Sequence, residues 1–263
     1  EKNHVLFHHS LERKYRKTHD TKHGTMIKRH GGKVMTQQAQ TLCEALQAKK
    51  YRGIIFDLDG VLVSTDDCHY RAWKKMADEE GIYFDRTINE RLRGVSRMAS
   101  LEIILERAKK TYTDEEKVEM ATRKNEYYKQ LIQTLTPEAM LPGALAFVHV
   151  CRDLGIRVAI GSSSKNTRAI LTQIGQIDGF DAIADGNDIT RSKPAPDVFL
   201  IAAHKLNLPP ESCMVVEDAD AGVEAARAAG MDVLAVGYAS ANPDATYHMN
   251  SLAQAMEEIE KKQ

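Results

Sequence analysis

Short apolar runs recur along the chain from residue 53 onwards and predict the strands of a buried sheet. They are rich in isoleucine, valine and alanine, and most are uninterrupted by polar residues. A strand exposed on one face would alternate polar and apolar positions, so continuous runs favour strands covered on both faces. The runs are GIIF at 53–56, IRVAI at 156–160, CMVV at 213–216, VLAV at 233–236 and, less strongly, FDAIAD at 180–185.

Apolar positions with helical spacing lie between the later runs. Strands that alternate with helices of this length are typical of parallel sheets with helices on both faces. The sequence therefore predicts an α/β fold built on a Rossmann-like, doubly wound parallel sheet. The expected helices lie in LAFVHVCRDLG at 145–155, TRAILTQIG at 167–175, DVFLIAAHKLN at 197–207 and GVEAARAAG at 222–230.

A long helical stretch interrupts this alternation after the first strand, and it predicts an inserted cap domain. Its apolar spacing indicates three helices, and a capping box from Thr113 to Glu116 opens the third. Two prolines and a glycine in TPEAMLPG at 136–143 mark the return of the chain to the sheet. The three helical segments are 66–81, 96–110 and 113–133. The expected domains are a helical cap at 66–139 and an α/β core formed by 51–65 and 140–263.

The first 50 residues differ in charge from the rest of the chain. They hold 11 Lys and Arg against 4 Asp and Glu, whereas the rest holds 25 against 33. Residues 1–35 contain six of the ten histidines and show no sustained period. We therefore expect a basic extension at 1–50 that is structureless at its start, with a short helix in its last third. A linker, a sorting signal and a cloning remnant stay open as explanations of this extension.

Composition excludes several classes of protein. The formal net charge of −1 gives no general attraction to nucleic acid or to an anionic membrane surface. No apolar run approaches the roughly 20 residues that a membrane span needs. The four cysteines form no C-x-x-C pair, which is typical of a reducing compartment. We expect a cytoplasmic protein that binds neither nucleic acid nor membranes, with a monomer as the simplest state.

Charged and hydroxyl side chains follow four of the predicted strands at the point where each strand ends. In doubly wound sheets, ligands bind beyond these carboxyl ends, so we expect the side chains to surround one site. The first strand is followed by Asp57 and Asp59, the second by Ser162, Ser164, Lys165 and Asn166, the third by Lys193, and the fourth by Glu217 and Asp218.

These residue types indicate phosphate chemistry assisted by a metal ion. Carboxylates at this density favour a hard cation with oxygen ligands, most simply Mg²⁺, while hydroxyls and a lysine suit a phosphate. Asp57 can then attack phosphorus and become an aspartyl phosphate, and Asp59 can transfer the proton. Each feature alone has a simpler explanation, such as a solvated turn or a helix cap. Their occurrence at consecutive strand ends favours the catalytic interpretation.

Four segments carry a resemblance to a known family. FDLDGVL, GSSSKN, SKPAPD and VVEDADAG resemble the four motifs of the haloacid dehalogenase superfamily of phosphotransferases. The resemblance extends over roughly residues 52–260 and implies the α/β core with an inserted cap. Three cap segments, HYRAW at 69–73, GVSR at 94–97 and RKNEYY at 123–128, resemble the hexose phosphomutases of that superfamily.

The resemblance implies roles for the residues at the strand ends. Asp57 would be the nucleophile and Asp59 the general acid and base. The implied ligands of Mg²⁺ are Asp57, the backbone carbonyl of Asp59 and Asp218, with Glu217 supporting the site. The groups implied to hold the transferring phosphoryl group are Ser162 and Lys193.

It also implies a second group of residues that bind the substrate and sense its distal phosphate. Arg97 would hold that phosphate from the cap, and His69 would couple cap closure to the general acid and base, with Lys124 as its partner. A packing role is the alternative for His69, and the core of the cap is the favoured alternative for Trp73, the single tryptophan. The remaining implied substrate contacts are Ser164, Lys165, Asn166, Thr65 and Trp73.

Three functions remain compatible with the residues, and they differ in the acceptor of the phosphoryl group. The first is a mutase that interconverts β-glucose 1-phosphate and glucose 6-phosphate through an aspartyl phosphate and β-glucose 1,6-bisphosphate. The second is a sugar-phosphate phosphatase with the same core chemistry and water as the acceptor. The third is a non-catalytic binding module, which would not require the full set of carboxylates and lysine. We expect the mutase, with Mg²⁺ as cofactor and hexose phosphates as substrates.

Overall fold

The computed structural model describes residues 40–93 and 95–261. Within them, six parallel strands form one sheet in the order β3-β2-β1-β4-β5-β6. This sheet confirms the predicted fold class. Five strands match the apolar runs to within two residues, while β6 was not predicted because it is only two residues long. The strands are β1 Gly53–Phe56, β2 Arg157–Gly161, β3 Ala182–Ala184, β4 Cys213–Glu217, β5 Asp232–Ala235 and β6 Tyr247–His248.

Helices cover both faces of the sheet, as the continuous apolar strands require. Alternate residues of a strand point to opposite faces, so Ile54 and Phe56 share an apolar cluster with residues of α1, α2, α5, α6, α7 and α10, while Ile55 shares one with residues of α8 and α9. The helices are α1 Leu42–Gln47, α2 Asp66–Glu79, α3 Arg86–Glu90, α4 Arg97–Leu105, α5 Asp114–Ile132, α6 Ala144–Asp153, α7 Thr167–Gln173, α8 Asp197–Lys205, α9 Asp220–Ala228 and α10 Leu252–Glu260.

The register of the sheet aligns the ends of its central strands. Phe56, the last residue of β1, pairs with Ile160 on one side and with Val216 on the other. The next backbone N–H, that of Asp57, donates to the carbonyl of Val216 at 3.0 Å. The polar residues that follow β1, β2 and β4 therefore emerge side by side at one edge.

Helices α2 to α5, called the cap helices below, have an apolar cluster of their own. This cluster includes Trp73, Met76, Phe84, Leu101 and Met120, and it is separate from the two clusters that flank the sheet. The capping box that was predicted for the start of α5 is present, with its two bonds at 3.2 and 2.8 Å. After α5 the chain returns to the sheet, where Met140 forms an antiparallel bridge with Val63.

Several predictions concern the start of the chain. The expectation of a structureless segment at 1–35 lies outside the described residues, as does the beginning of the helix expected after it. The described part of that helix is α1, which a capping box of Thr41 and Glu44 opens.

All four cysteines are free thiols and buried. Across the described ranges, no helix combines the length and the apolar character required to cross a membrane.

Candidate active site

The carboxyl edge of the sheet and the cap helices enclose a cavity of about 520 Å³. The structure brings together in its walls every residue that the sequence nominated as a site residue. From the core these are Asp57, Asp59, Thr65, Ser162, Ser164, Lys165, Asn166, Lys193, Glu217 and Asp218, and from the cap helices His69, Trp73, Arg97 and Lys124.

Lys193 lies between two carboxylates at the floor of the cavity. Its Nζ donates to Oδ1 of Asp57 and to Oε1 of Glu217, and all three side chains are buried. Burial alone would lower the pKa of Lys193, but the two carboxylates outweigh burial and raise it. The lysine is therefore a permanent cation beside Asp57, which is what an incoming phosphate needs.

Glu217 is oriented by bonds to both of its carboxylate oxygens. Oε1 accepts from Lys193, while Oε2 accepts from the backbone N–H groups of Asp218 at 2.8 Å and Ala219 at 3.0 Å. A Cβ at Gly222 would lie 1.9 Å from Glu217, so only glycine leaves room for this orientation. Because both oxygens of Glu217 accept hydrogen bonds, its position fits the supporting role that the resemblance implies better than direct coordination of a metal ion.

The acidic residues that remain suit a divalent cation. Burial is the largest cause that raises the pKa of Asp57 and of Asp218, so both anions are unfavourable without added positive charge. Within the described residues, the Asp218 carboxylate accepts no hydrogen bond and forms no ion pair. No three acidic, thiol or imidazole side chains converge on one point in residues 40–93 and 95–261. The expected set needs only Asp57 and Asp218 side chains with the Asp59 carbonyl, and this oxygen set fits Mg²⁺.

Asp59 is held by a neighbour from its own loop. The hydroxyl of Thr65 donates to Oδ1 of Asp59, and Thr65 is 2% exposed. Burial raises the pKa of Asp59 to about 6, although Thr65 acts against the shift. A carboxyl group with this pKa can both donate and accept a proton near neutral pH. Thr65 therefore orients Asp59 in this structure, and its contact with the substrate stays a prediction.

The serine-rich loop after β2 is shaped by its own hydroxyl groups. Oγ of Ser162 accepts from the N–H of Ser164, and Oγ of Ser164 accepts from the N–H of Asn166, both at 3.2 Å. The amide of Asn166 then donates to Oδ1 of Asn125 on α5 at 3.2 Å. This last bond joins the core loop to a cap helix across the cavity. Lys165 also lines the cavity.

His69 and Lys124 form a close pair on the cap side. Nζ of Lys124 lies 2.9 Å from Nδ1 of His69, and the ammonium group lies 4.8 Å from the ring centroid of Trp73. Burial lowers the pKa of Lys124 to about 7, and the charge of Arg97 adds to this shift. The pKa of His69 is also lowered, first by burial and then by the charge of Lys124. Trp73 is 2% exposed and belongs to the apolar cluster of the cap, which leaves little ring to stack on a sugar.

Arg97 opens α4 and reaches the cavity without a carboxylate partner. In the described part of the chain it forms no ion pair, and burial lowers the pKa of its guanidinium. Ser96 caps the same helix by accepting from the N–H of Ala99 at 3.3 Å. The charge of Glu126 acts on this guanidinium, but from beyond ion-pair distance. A partly buried cation at a helix start without a carboxylate within that distance favours an anionic ligand.

The cavity wall also contains residues that were not predicted from the sequence, and Asn125, Tyr128 and Arg93 are three of them. Asn125 and Tyr128 lie in the RKNEYY segment already noted for its resemblance, so a signal for both was available. Arg93 precedes the GVSR segment, and its guanidinium lies 3.9 Å from the ring centroid of Tyr238 in the core. Neither periodicity nor spacing marks a contact between residues so far apart in sequence.

Comparison with known proteins agrees with this geometry. The family of haloacid dehalogenase-like hydrolases matches residues 51–230. The chain is 44% identical to the β-phosphoglucomutase of Bacillus subtilis over 71% of this chain and 83% of that protein. The crystal structure of β-phosphoglucomutase from Clostridium difficile has 40% identity and a TM-score of 0.73, covering 81% of this chain and 96% of that one.

A phosphatase is also among the relatives. The fructose-1-phosphate phosphatase of Escherichia coli is 31% identical over 72% of this chain and 97% of that protein. A mutase and a phosphatase are therefore both similar to most of this chain. The chain is an enzyme homologous to β-phosphoglucomutase, and it belongs to the haloacid dehalogenase-like hydrolases.

Proposed function

We propose that this chain is a phosphomutase that interconverts β-glucose 1-phosphate and glucose 6-phosphate. The observation that carries the proposal is the position of Arg97, an unpaired cation in the same cavity as Asp57. Hydrolysis of a monophosphate needs one phosphate site, beside the nucleophile. A second anion site on the cap suits a sugar with phosphates at two positions, as in β-glucose 1,6-bisphosphate.

The first transfer uses residues at the floor of the cavity. An oxygen of Asp57 forms a bond to phosphorus while the bond from phosphorus to the sugar oxygen breaks, and Asp59 gives its proton to that oxygen. Lys193 and Ser162 hold the oxygens of the transferring group. Mg²⁺, bound by Asp57, Asp218 and the carbonyl of Asp59, would supply the positive charge that lets a carboxylate approach a phosphate.

The second transfer runs in the opposite direction, from Asp57 to an incoming β-glucose 1-phosphate, and the bisphosphate that forms turns around before the first transfer repeats. Asp59 takes the proton of the incoming sugar hydroxyl while phosphorus leaves Asp57 for that oxygen. Arg97 holds the other phosphate from the cap, and Ser164, Lys165 and Asn166 hold it from the core. Because these groups belong to two parts of the chain, a bound distal phosphate favours a closed cavity from which water is excluded.

A sugar-phosphate phosphatase is the second candidate, and the identity to the fructose-1-phosphate phosphatase favours it. It would use Asp57, Asp59 and Lys193 in the same way and would pass the phosphoryl group to water. The cytoplasmic location and the monomeric state that we expect from the sequence belong to either proposal and stay predictions.

One assay separates the two candidates. The enzyme receives β-glucose 1-phosphate, Mg²⁺ and a trace of β-glucose 1,6-bisphosphate, and glucose 6-phosphate and free phosphate are followed together. We expect glucose 6-phosphate in large excess, dependent on the bisphosphate, and no turnover from Asp57→Asn. Free phosphate released at a comparable rate without the bisphosphate would identify a phosphatase.

A further inference from the structure

Tyr128 on helix α5 carries a hydroxyl group that the proposed mechanism does not use. Its side chain is 1% exposed, and the hydroxyl oxygen is shielded from solvent without a hydrogen-bond partner. Buried hydroxyls normally have a partner, because desolvation without one is unfavourable. Among the described residues, the other such side-chain atom is Nε of Arg123, whose guanidinium group forms ion pairs with Glu79, Glu80 and Glu119.

The ring of Tyr128 packs against the residues that surround Asp59. It lies 4.1 Å from the ring of His69, centroid to centroid, and Nζ of Lys124 lies 4.7 Å from its centroid. Burial and the charge of Asp59 raise the pKa of Tyr128, while an interaction with the hydroxyl of Thr65 acts in the opposite direction; the two hydroxyls therefore lie near each other without forming a hydrogen bond of normal geometry. The tyrosine is thus a neutral hydroxyl beside the pair formed by Thr65 and Asp59.

In the proposed catalytic cycle this pair separates. In the structure Asp59 accepts a hydrogen bond from Thr65, whereas in the reaction it must face the oxygen of the sugar. Thr65 then loses its acceptor at a position where it is 2% exposed and water has little access. A second partner for Thr65 would remove this cost, and the hydroxyl of Tyr128 is unengaged beside it.

We propose that Tyr128 is a positioning residue whose hydroxyl becomes the partner of Thr65 when Asp59 turns to the substrate. Tyr128 acts through Thr65 and not on the sugar, because its own oxygen is shielded from the cavity. While Asp59 accepts from Thr65, the hydroxyl of Tyr128 is unpaired, which disfavours this state. When Asp59 turns to the substrate, Tyr128 pairs with Thr65, which favours the state in which Asp59 is free to react. The inference rests on the proposed role of Asp59 in phosphoryl transfer.

Tyr128→Phe tests the proposal because it removes one oxygen and keeps the ring. Tyr127→Phe on the same helix is the matched control, since the hydroxyl of Tyr127 bonds Glu79 outside the cavity. We expect Tyr128→Phe to lower kcat for β-glucose 1-phosphate about five- to ten-fold, which corresponds to the loss of one hydrogen bond. KM should be unchanged, and the melting temperature should be equal to or higher than that of the wild type. Tyr127→Phe should leave kcat unchanged. An unchanged kcat in Tyr128→Phe would overturn the proposal.

A substrate whose leaving group needs no proton distinguishes the loss of the Tyr128 hydroxyl from a general packing defect. The burst of p-nitrophenol from p-nitrophenyl phosphate needs no proton from Asp59, because the phenolate leaves unaided. We expect the burst rate of Tyr128→Phe to match the wild type while transfer from the sugar phosphate is slowed. Equal slowing of both reactions would show that the ring position, and not the hydroxyl, had been disturbed.

A double-mutant cycle tests the route through Thr65. If Tyr128 acts on Thr65, adding Tyr128→Phe to Thr65→Val should cause no further loss of kcat. Fully additive losses would overturn the proposal. Should the wild type prove to be a phosphatase, the same comparisons hold for release of phosphate from a sugar phosphate, so failure of the mutase proposal and failure of this one remain distinct.

Discussion

At the scale of single residues, the site depends on groups that are unfavourable in the empty cavity. Lys124 is 2% exposed, and burial is the largest cause that lowers its pKa to about 7. Asp218 is an acidic group without a hydrogen-bond donor among the described residues. Such groups lower the stability of the folded protein unless a bound ligand supplies the missing charge or hydrogen bond. Perturbed pKa values of this kind are common at functional sites.

Lys124 should therefore make the stability of the protein depend on pH. Its pKa is lower in the folded chain than in the unfolded one, so the unfolded state binds more protons between about pH 7 and pH 10.5. The cost of the buried charge is fully present below pH 7 and is relieved as the pH rises. We expect the wild type to gain roughly 2 kcal/mol between pH 6.5 and pH 9 relative to Lys124→Met, measured by urea unfolding. Parallel profiles of the two proteins would contradict the lowered pKa.

Gly60 should be essential for the metal site. Its φ is +81°, and a Cβ there would lie 2.0 Å from Oδ2 of Asp218. Gly60→Ala should lose about 1–2 kcal/mol through backbone strain and, by displacing Asp218, more than ten-fold in Mg²⁺ affinity measured by calorimetry. Gly81→Ala is the matched control, because its φ is +66° and no heavy atom lies within 4 Å of its Cβ position. Equal Mg²⁺ affinities of the two variants would refute the role of Gly60.

At the scale of elements, the strands and their polar ends could be predicted from the sequence because each signal is local. Helix α3 was not, since its five residues, Arg86–Glu90, are too few for a period and are stabilised by the cap of Asp85. The C-terminal helix α10 was missed, although Leu252, Ala255 and Ile259 are buried at helical spacing. The tasks of Thr65 and Tyr128 depend on which distant residues meet, and no local pattern contains that information.

A contact between elements should stabilise the closed cavity. Arg93, in the loop between α3 and α4, stacks on Tyr238 in the short 3₁₀ helix after β5, and it also pairs with Asp66 and Glu90. A cation over an aromatic ring contributes about 0.5–2 kcal/mol, so Tyr238→Ala should raise KM two- to ten-fold and increase the share of free phosphate.

Two variants control this prediction. Tyr238→Phe keeps the ring and should behave like the wild type, since the interaction uses the ring and not the hydroxyl. Tyr83→Ala removes another tyrosine that is 67% exposed on the cap and outside the cavity wall, and its kinetics should not change. A wild-type KM in Tyr238→Ala would show that the stacking does not hold the loop during the reaction.

At the scale of the whole molecule, the proposed discrimination between sugar and water would use the core and the cap helices together. The core supplies Asp57 and Lys193, and the cap helices supply Arg97 and His69, which has Lys124 as its partner. The cap helices have an apolar cluster of their own, while Cys68 and Ala72 of α2 and Tyr128 and Ile132 of α5 also belong to the cluster on one face of the sheet. A distal phosphate that bonds both parts links occupancy of the site to closure.

Arg97→Ala should therefore slow phosphoryl transfer to sugar much more than phosphoryl transfer to water. Without Arg97 the distal phosphate loses a charge-assisted bond in a partly buried site, which is worth about 1.5–3 kcal/mol. We expect mutase flux to fall ten- to a hundred-fold, whereas hydrolysis of a small ester without a distal phosphate should fall less than two-fold. Arg91→Ala, which removes a surface pair with Glu106 on the same cap, should change neither rate. Equal losses of both reactions in Arg97→Ala would mean that this arginine supports the fold of the cavity and does not sense the substrate.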